Sequence, residues 1–352
     1  MALGLSQRIE CLSQLGNYLS GFTAKKALDN SALPSYDLLE QTIDRAYILN
    51  GWFLPENQLY ALESWGSLLT KEKLSDWAKK EQIKESQHPK TVAIVMAGNI
   101  PMVGFHDLLS VLISPHKALI KLSSSDAVLV PFLLEVLSCI DAAWKDRYAI
   151  TEGKLENFDA VIATGSNNTA RYFEHYFGKY PNVIRQNRNS VAVITGNETQ
   201  EQLGLLGEDI FRYFGLGCRN VSKLFIPKGY DTDLIFKAIF PWKHLLEIKK
   251  YENNYDYNKA VFLMSQFDFL DNGFCMLKED ESFVSPIASI FYETYDSAEK
   301  LTEYLAQNDD KIQCVVGDFA ALSTVPFGQA QRPALDDYAD GVNTLQFLLK
   351  LG

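Results

Sequence analysis

Val92-Ala93-Ile94-Val95-Met96-Ala97-Gly98-Asn99-Ile100-Pro101 is the stretch on which the reading of the fold turns. Its first six residues are apolar without interruption, then the chain meets Gly-Asn and a proline. A short apolar run closed by turn residues reads as a strand buried on both faces. From there the pattern alternates. A helix is expected over Pro101 to Ile113, a strand over Ala118 to Leu122 and a helix over Asp126 to Trp144. A third strand, Phe158 to Ala163, and a helix over Asn168 to Phe177 follow. Alternation of this kind implies parallel βαβ units and an α/β fold. Ligands of such sheets bind outside the carboxyl ends of the strands. Gly98-Asn99, Ser123-Ser124 and Gly165-Ser166 all fall there.

The chain before this stretch reads as helical. Leu38, Leu39, Ile43, Ala46 and Tyr47 keep helical spacing up to Asn50-Gly51, a natural stop, and Leu59, Leu62 and Trp65 resume it after Pro55. Beyond it a new region starts near Arg188. Ser190 to Ile194 is an expected strand, and Thr199 with Gln202 forms a capping box. Leu203, Leu206, Ile210 and Phe214 make the apolar stripe of the helix it opens. Cys218 comes next, then an expected strand from Lys223 to Ile226. Alternating elements run on to Ile312–Val316, and the apolar tail Val342 to Leu351 reads as a strand or a helix. The expected division is residues 1–187, with a nucleotide-binding sheet behind the helices, 188–325 around Cys218, and a segment 326–352 returning to the core or to an oligomer interface.

At 352 residues the chain is long for one core and suits two domains. A net charge of −11 argues against nucleic acid as a partner, since phosphate binding needs clustered cations. The five cysteines are dispersed, with no Cys-x-x-Cys pair and no Cys/His ligand spacing. Neither a disulfide framework nor a metal site is expected, and a cytoplasmic setting fits. Met1 to Phe22 lacks the charged start and apolar core of a signal peptide. No apolar run approaches the roughly 18 residues of a membrane span, so no membrane insertion is expected.

Several residues have two readings. Cys218 lies in Phe214-Gly215-Leu216-Gly217-Cys218-Arg219-Asn220. A lone cysteine is commonly a small buried hydrophobe; flanking glycines and an adjacent cation instead suit a thiolate nucleophile. Asn99 is a helix N-cap or a donor to a developing oxyanion. Lys121 is a solvated charge or a nucleotide contact at a strand end. Gly165-Ser166 could present backbone N–H groups to a phosphate, although no Gly-x-Gly-x-x-Gly is present. His106 reads as structural.

Taken in order, these segments resemble the aldehyde dehydrogenase superfamily, in particular its acyl-CoA reductase branch, which includes the fatty-acid reductase of bacterial bioluminescence. Gly98-Asn99-Ile100-Pro101 resembles the superfamily's oxyanion-asparagine segment, and Lys121 its ribose-binding lysine. Ala163-Thr164-Gly165-Ser166 is similar to its Thr-Gly-Ser turn, and Gly217-Cys218 with Ser222 to its catalytic cysteine segment. Ser285-Pro286 and Pro326-Phe327-Gly328 match later motifs. Asn50 to Asn57 and Gly104 to Leu109 look like the reductase branch. The resemblance implies two Rossmann-type α/β domains with an N-terminal helical segment. It implies catalysis by Cys218 and Asn99, with cofactor contacts at Lys121, Ser123, Ser124, Gly165 and Ser166.

The departures shape the expectation. Ile184 stands where hydrolytic members carry a glutamate base, so hydrolysis of a thioester on Cys218 should be slow. Ser124 stands where members preferring NAD often carry a ribose-binding glutamate, which favours NADP. Ser282 stands where a glutamate often holds the nicotinamide ribose. The implied reaction is reduction of an acyl thioester to an aldehyde by NADPH through a Cys218 acyl-enzyme. Coenzyme A is the co-substrate, and an acyl-CoA or acyl-carrier thioester the partner. A hydrolytic aldehyde dehydrogenase and a non-catalytic scaffold are the alternatives. The tail could add a strand to a neighbouring subunit, as in the superfamily, which would make a homodimer.

Overall fold

The computed structural model describes residues 3–28, 30–165 and 167–351. The chain forms two compact units, one of Met1–Gln186 together with Ala334–Gly352, the other of Asn187–Pro333. The segment expected as 326–352 is therefore divided: residues 326–333 stay with the second unit and 334–352 belong to the first.

The first unit begins with four helices: α1 (Leu5–Thr23), α2 (Tyr36–Leu49), α3 (Pro55–Leu68) and α4 (Lys71–Lys80). Their ends follow local chemistry. The Ser35 and Thr70 hydroxyls accept from the third amide of α2 and α4, and Pro55 opens α3. Helices α1 and α3 touch closely at Gly16, where a Cβ would lie 2.1 Å from the Leu69 carbonyl oxygen.

The sheet follows, with β1 (Thr91–Val95), α5 (Phe105–Ile113), β2 (Lys117–Lys121), α6 (Leu129–Ile140), β3 (Tyr148–Ile150), β4 (Ala160–Thr164), α7 (Asn167–Phe177) and β5 (Asn182–Arg185). The strand order is β3-β2-β1-β4-β5, and every pairing is parallel. Val92, Ala93 and Ile94 of β1 are buried, as an apolar central strand requires. The chain winds to one side of β1 and then to the other. The crevice between β1 and β4 is thus a topological switch point.

Two buried arginines close the C-terminus of α5. Arg8 donates to the Ile113 carbonyl, and Arg147 to those of Leu112 and Ser114.

The second unit contains β6 (Asn189–Val193), α8 (Gln200–Phe211), β7 (Val221–Pro227), α9 (Asp233–Ile239), α10 (Lys249–Met264), β8 (Leu270–Asp271), β9 (Met276–Glu279), β10 (Ser289–Tyr295), α11 (Ala298–Gln307) and β11 (Ile312–Val316). Its strand order is β11-β6-β7-β10-β9-β8, with β8 antiparallel to β9 and the remaining pairs parallel.

Several expectations change. The helix expected from Pro101 starts at Phe105, because 99–104 is a series of bends and turns in which Met102 takes a φ of 57°. The helix expected over Asp126 to Trp144 spans only α6, with a separate 3₁₀ turn at Ala142–Asp146. Phe214 does not extend the stripe of α8. The helix stops at Phe211, and Tyr213 and Phe214 turn left-handed. The tail is helical, α12 (Thr344–Leu349), with Leu345 and Leu348 buried in the first unit. The strand expected as one alternative for this segment is not formed. Strands β3 and β5 were not expected. Each is short, and β3 is exposed over two of its three residues, which hides its period.

Candidate active site

The loop between α8 and β7 carries Cys218. It starts with three successive left-handed residues, Tyr213 (φ 55°), Phe214 (φ 60°) and Gly215 (φ 75°). Glycine accepts this region freely, but two aromatic residues in it store strain that the surroundings must hold. Asn220 does much of the holding. It is fully buried, and its amide nitrogen donates to the carbonyls of Asp209 (3.1 Å), Ile210 (3.2 Å) and Arg212 (2.7 Å). These carbonyls belong to the end of α8, where helical partners run out. The Asn220 carbonyl oxygen accepts the Gly217 amide at 2.8 Å. One side chain thus joins the helix end to the residue before Cys218. The Ser190 hydroxyl of β6 donates to the Cys218 carbonyl at 3.1 Å and lies 3.1 Å from the Cys314 sulfur.

Cys218 is half-buried and lines a cleft of about 260 Å³ within the second unit. Ile210, Phe211, Phe214, Leu216, Tyr251 and Ile287 give it an apolar lining, and Asn187, Arg188, Asn189 and Ser222 a polar one. Among the described residues, no aspartate or glutamate lines it. Cys275 is a different kind of thiol, fully buried, and burial pushes its pKa well up. Cys275 has the full burial of a core thiol, whereas Cys218 is only half-buried.

Arg219 follows Cys218, and its Nε donates to the Ala330 carbonyl at 2.5 Å. The Ala330 amide donates to Asp209 Oδ1 at 2.8 Å, and the Gly328 amide to Asp209 Oδ2 at 2.6 Å. Burial raises the Asp209 carboxyl to about 6 against the pull of these two amides. Ser222 donates to the Phe283 carbonyl at 2.6 Å. Lys223 is fully buried between the Asp280 and Glu281 carbonyls, pairs with Glu293, and has its pKa lowered by burial.

In the first unit, the strand ends draw together the residues expected to meet a cofactor. Gly98 follows β1, and a Cβ on it would sit 2.6 Å from the Ser123 hydroxyl. Only glycine lets these two turns approach so closely. Asn99 is exposed and does not cap α5, whose N-cap is Gly104. Lys121 ends β2 in register with Val95 and donates to the Gly153 carbonyl at 2.9 Å. Ser124 is exposed. Gly165 follows β4, with Thr169 and Phe173 3.0 Å from the position of a Cβ. Ser166 lies outside the described residues. Glycines that bring backbone close, serine hydroxyls and a lysine at strand ends are donors that could hold the phosphates and hydroxyls of a dinucleotide.

Asp126, next to this crevice, is a group that sequence reasoning missed. Its Oδ2 accepts the amide of the left-handed Met102 at 2.7 Å, while Oδ1 is buried without a protein partner. Burial raises its carboxyl to about 7.

The profile of the acyl-CoA reductase (LuxC) family matches residues 2–233, a span that includes both Asn99 and Cys218. The chain belongs to this family. Among named relatives it is similar to the long-chain acyl-protein thioester reductase 2 of Photobacterium leiognathi, 22% identical over 287 residues. That alignment covers 76% of this chain and 52% of the relative, so the chain spans about half the relative's length. Solved structures show the aldehyde dehydrogenase fold. An oxidoreductase from Marinobacter aquaeolei superposes with a TM-score of 0.63 at 11% identity, over 91% of this chain and 74% of that one. Aldehyde dehydrogenase 21 from Physcomitrella patens, solved with succinate, gives 0.62 at 12% identity, over 91% and 75%.

Within the family match, Ile184 is a half-buried residue of β5 opposite Ala163. Its neighbour Arg185 is buried on Asp107, donating at 3.0 and 2.6 Å, and on Thr344. Asn187 and Arg188 line the Cys218 cleft. The Ile184–Arg188 stretch thus places no carboxylate there. Ser282 is exposed in a turn that Asp280 caps. His106 lies with Nε2 on the Leu335 carbonyl, and burial lowers its pKa. Among the described residues, no group of three potential metal ligands occurs, and no helix is long and apolar enough to cross a membrane.

Proposed function

We propose that this protein reduces an acyl thioester to an aldehyde through an acyl-enzyme on Cys218, with NADPH as reductant. The observation that carries the reading is a half-buried thiol in a partly apolar cleft that no carboxylate lines among the described residues. Such a site can accept an acyl group, yet offers no base to activate water against it.

The Cys218 thiolate attacks the thioester carbonyl. The carbon–sulfur bond to the carrier breaks, the carrier leaves as a thiolate that takes a proton from solvent, and a Cys218 thioester remains. Bound NADPH would supply a hydride to the carbonyl carbon. The tetrahedral oxyanion so formed collapses, its oxygen lone pair re-forming the carbonyl as the bond to Cys218 breaks, and releases the aldehyde and the thiolate. The Cys218 backbone N–H is the oxyanion donor that the second unit can itself supply. The resemblance assigns the Asn99 side chain as a further donor. Lys121 and Ser123 would hold the adenine ribose, and Gly165 with Ser166 the pyrophosphate. Ser124, uncharged and exposed, leaves room for a 2′-phosphate without repulsion. Coenzyme A or a carrier protein is the leaving thiol. The named relative supports the class, being a reductase of acyl-protein thioesters.

Intact-mass measurement after incubation with acyl-CoAs of graded length is the decisive experiment. One acyl adduct, mapped to the Cys218 peptide and discharged as aldehyde by NADPH, is the expected result. Release of free acid from the adduct would favour the hydrolytic alternative. A single-turnover preference for NADH over NADPH would overturn the Ser124 argument.

A further inference from the structure

The Cys218 loop is tied on both sides of the thiol, and the ties close into a ring. Asn220 holds Gly217, the residue before Cys218, and also the backbone carbonyl of Asp209. Arg219, the residue after it, holds the Ala330 carbonyl, and the amide of Ala330 is held by the Asp209 carboxylate. One residue, Ala330, is thus gripped on both sides of its Cα, its N–H by a buried acid and its carbonyl by the cation next to the thiol. We propose that Asp209 is a positioning residue for the Cys218 thiol, acting through Ala330 and Arg219.

Burying a carboxylate is costly, and no side-chain donor meets its two oxygens among the described contacts. Two short backbone bonds offset part of that cost. A neutral amide of the same shape could accept only one of them and would turn its NH₂ toward the other amide donor. The carboxylate form is therefore the one that holds Gly328 and Ala330 together. The groups facing it are Glu208 on α8, which disfavours its charge, Arg219 on the Cys218 loop, which favours it, and the two amides of the 326–332 segment.

The carboxyl titrates near 6 in the folded chain, above its ordinary 3.8. On protonation one oxygen becomes a donor facing an amide donor, and one tie opens. A raised carboxyl pKa means that the folded state takes up the proton more readily than the unfolded one. This group therefore adds stability as pH falls from about 6 toward 4, and the tie opens without a loss of global stability from it.

The proposal rests on Cys218 as the acyl acceptor, and the test separates the two readings. The full chain and Asp209→Asn are compared in two reactions of Cys218, acyl loading from an acyl-CoA and alkylation by iodoacetamide, across pH 5 to 8. Acyl transfer needs an oriented thiol, and a small alkylating reagent does not. The variant is expected to load about tenfold more slowly, with alkylation changed far less. The ratio of loading to alkylation should bend near pH 6 in the parent and be flat in the variant. Equal ratios, or the same bend in both, would overturn the proposal. Amide hydrogen exchange supplies a readout that needs no substrate, and peptides covering 326–332 should exchange about tenfold faster in the variant. A parent that alkylates but never loads sinks the acyl-thioester reading, and the exchange data then decide on Asp209 alone. If Asp209→Asn does not fold, Arg219→Ala cuts the ring on its other side and is expected to lower the ratio in the same direction. An unchanged ratio there counts against the proposal.

Discussion

The two units each carry a left-handed turn at the mouth of a parallel sheet, and they secure it differently. In the first unit, Met102 is left-handed after β1, and Asp126 holds its amide with one oxygen while the other is buried and unpaired. In the second, Tyr213, Phe214 and Gly215 are left-handed before β7, and the Asn220 amide group meets four backbone partners around them. The side chain that holds the first turn meets it through one oxygen and leaves the other buried without a protein partner, whereas Asn220 meets backbone partners with both ends of its amide. A saturated buried network fixes one geometry, whereas an unsatisfied one leaves an alternative close in energy. That contrast suits the proposed roles, a thiol that has to be held in one place and, in the other unit, a crevice that has to admit and release a nucleotide.

Four substitutions would break or sharpen the contrast. Cys218→Ala should abolish both acyl loading and aldehyde formation, read by intact mass and product analysis. Retained reductase activity would remove the second turn's purpose. Asn99→Ala, in the exposed part of the first turn, should slow acyl transfer by about 2.7–4 kcal/mol of barrier, the range for loss of one oxyanion donor. Its stability should stay near the parent's, so a rate loss matched by a loss of melting temperature would reassign Asn99 to the fold. Asn220→Ala strands three carbonyls and one amide and should destabilise by about 3 kcal/mol in denaturant titration. A cost below half that would show that Asn220 does not hold the turn as described.

Asp126→Asn should have the smallest effect and the opposite sign. The Asp126 carboxyl titrates near 7 when folded and near 3.8 otherwise, so the parent loses stability as pH rises from about 4 through 7. The asparagine keeps an acceptor for Met102 without the buried charge. At pH 8 it should be more stable, on the order of 2 kcal/mol. At pH 4, where the parent's carboxyl is protonated in the fold, the gain should shrink. A variant less stable than the parent at pH 8 would mean that the charge is paired.

The sheet of the first unit was largely legible, because β1, β2 and β4 are apolar runs and burial reads directly from composition. Short strands such as β3 and β5 were not, since three or four residues with exposed members carry no period. The stop of α8 at Phe211 was also hidden. Phe214 keeps helical spacing from Ile210, and nothing local announces that two aromatic residues will turn left-handed. Tertiary bonds from Asn220 decide that. Cys218 stood out by its glycines, but Asp209 did not, although an acid three residues after Leu206 on an apolar stripe is itself a signal. Its partners, Gly328 and Ala330, are more than a hundred positions away in sequence. Arg219 suggests from its position beside Cys218 an aid to the thiolate, and its Nε donates to a carbonyl distant in sequence.

Helix α12 gives the fold a timetable. Glu81 is buried at the end of α4, and Tyr338, Asn343 and Gln346 all donate to its carboxylate. Those donors follow the whole second unit in the chain. During synthesis the first unit therefore waits, with an unpartnered acid at its heart, while the second unit emerges and can complete its own core. Contacts closed over so many residues are slow to form. The half-made first unit is accordingly the state in which a growing chain would most need a chaperone.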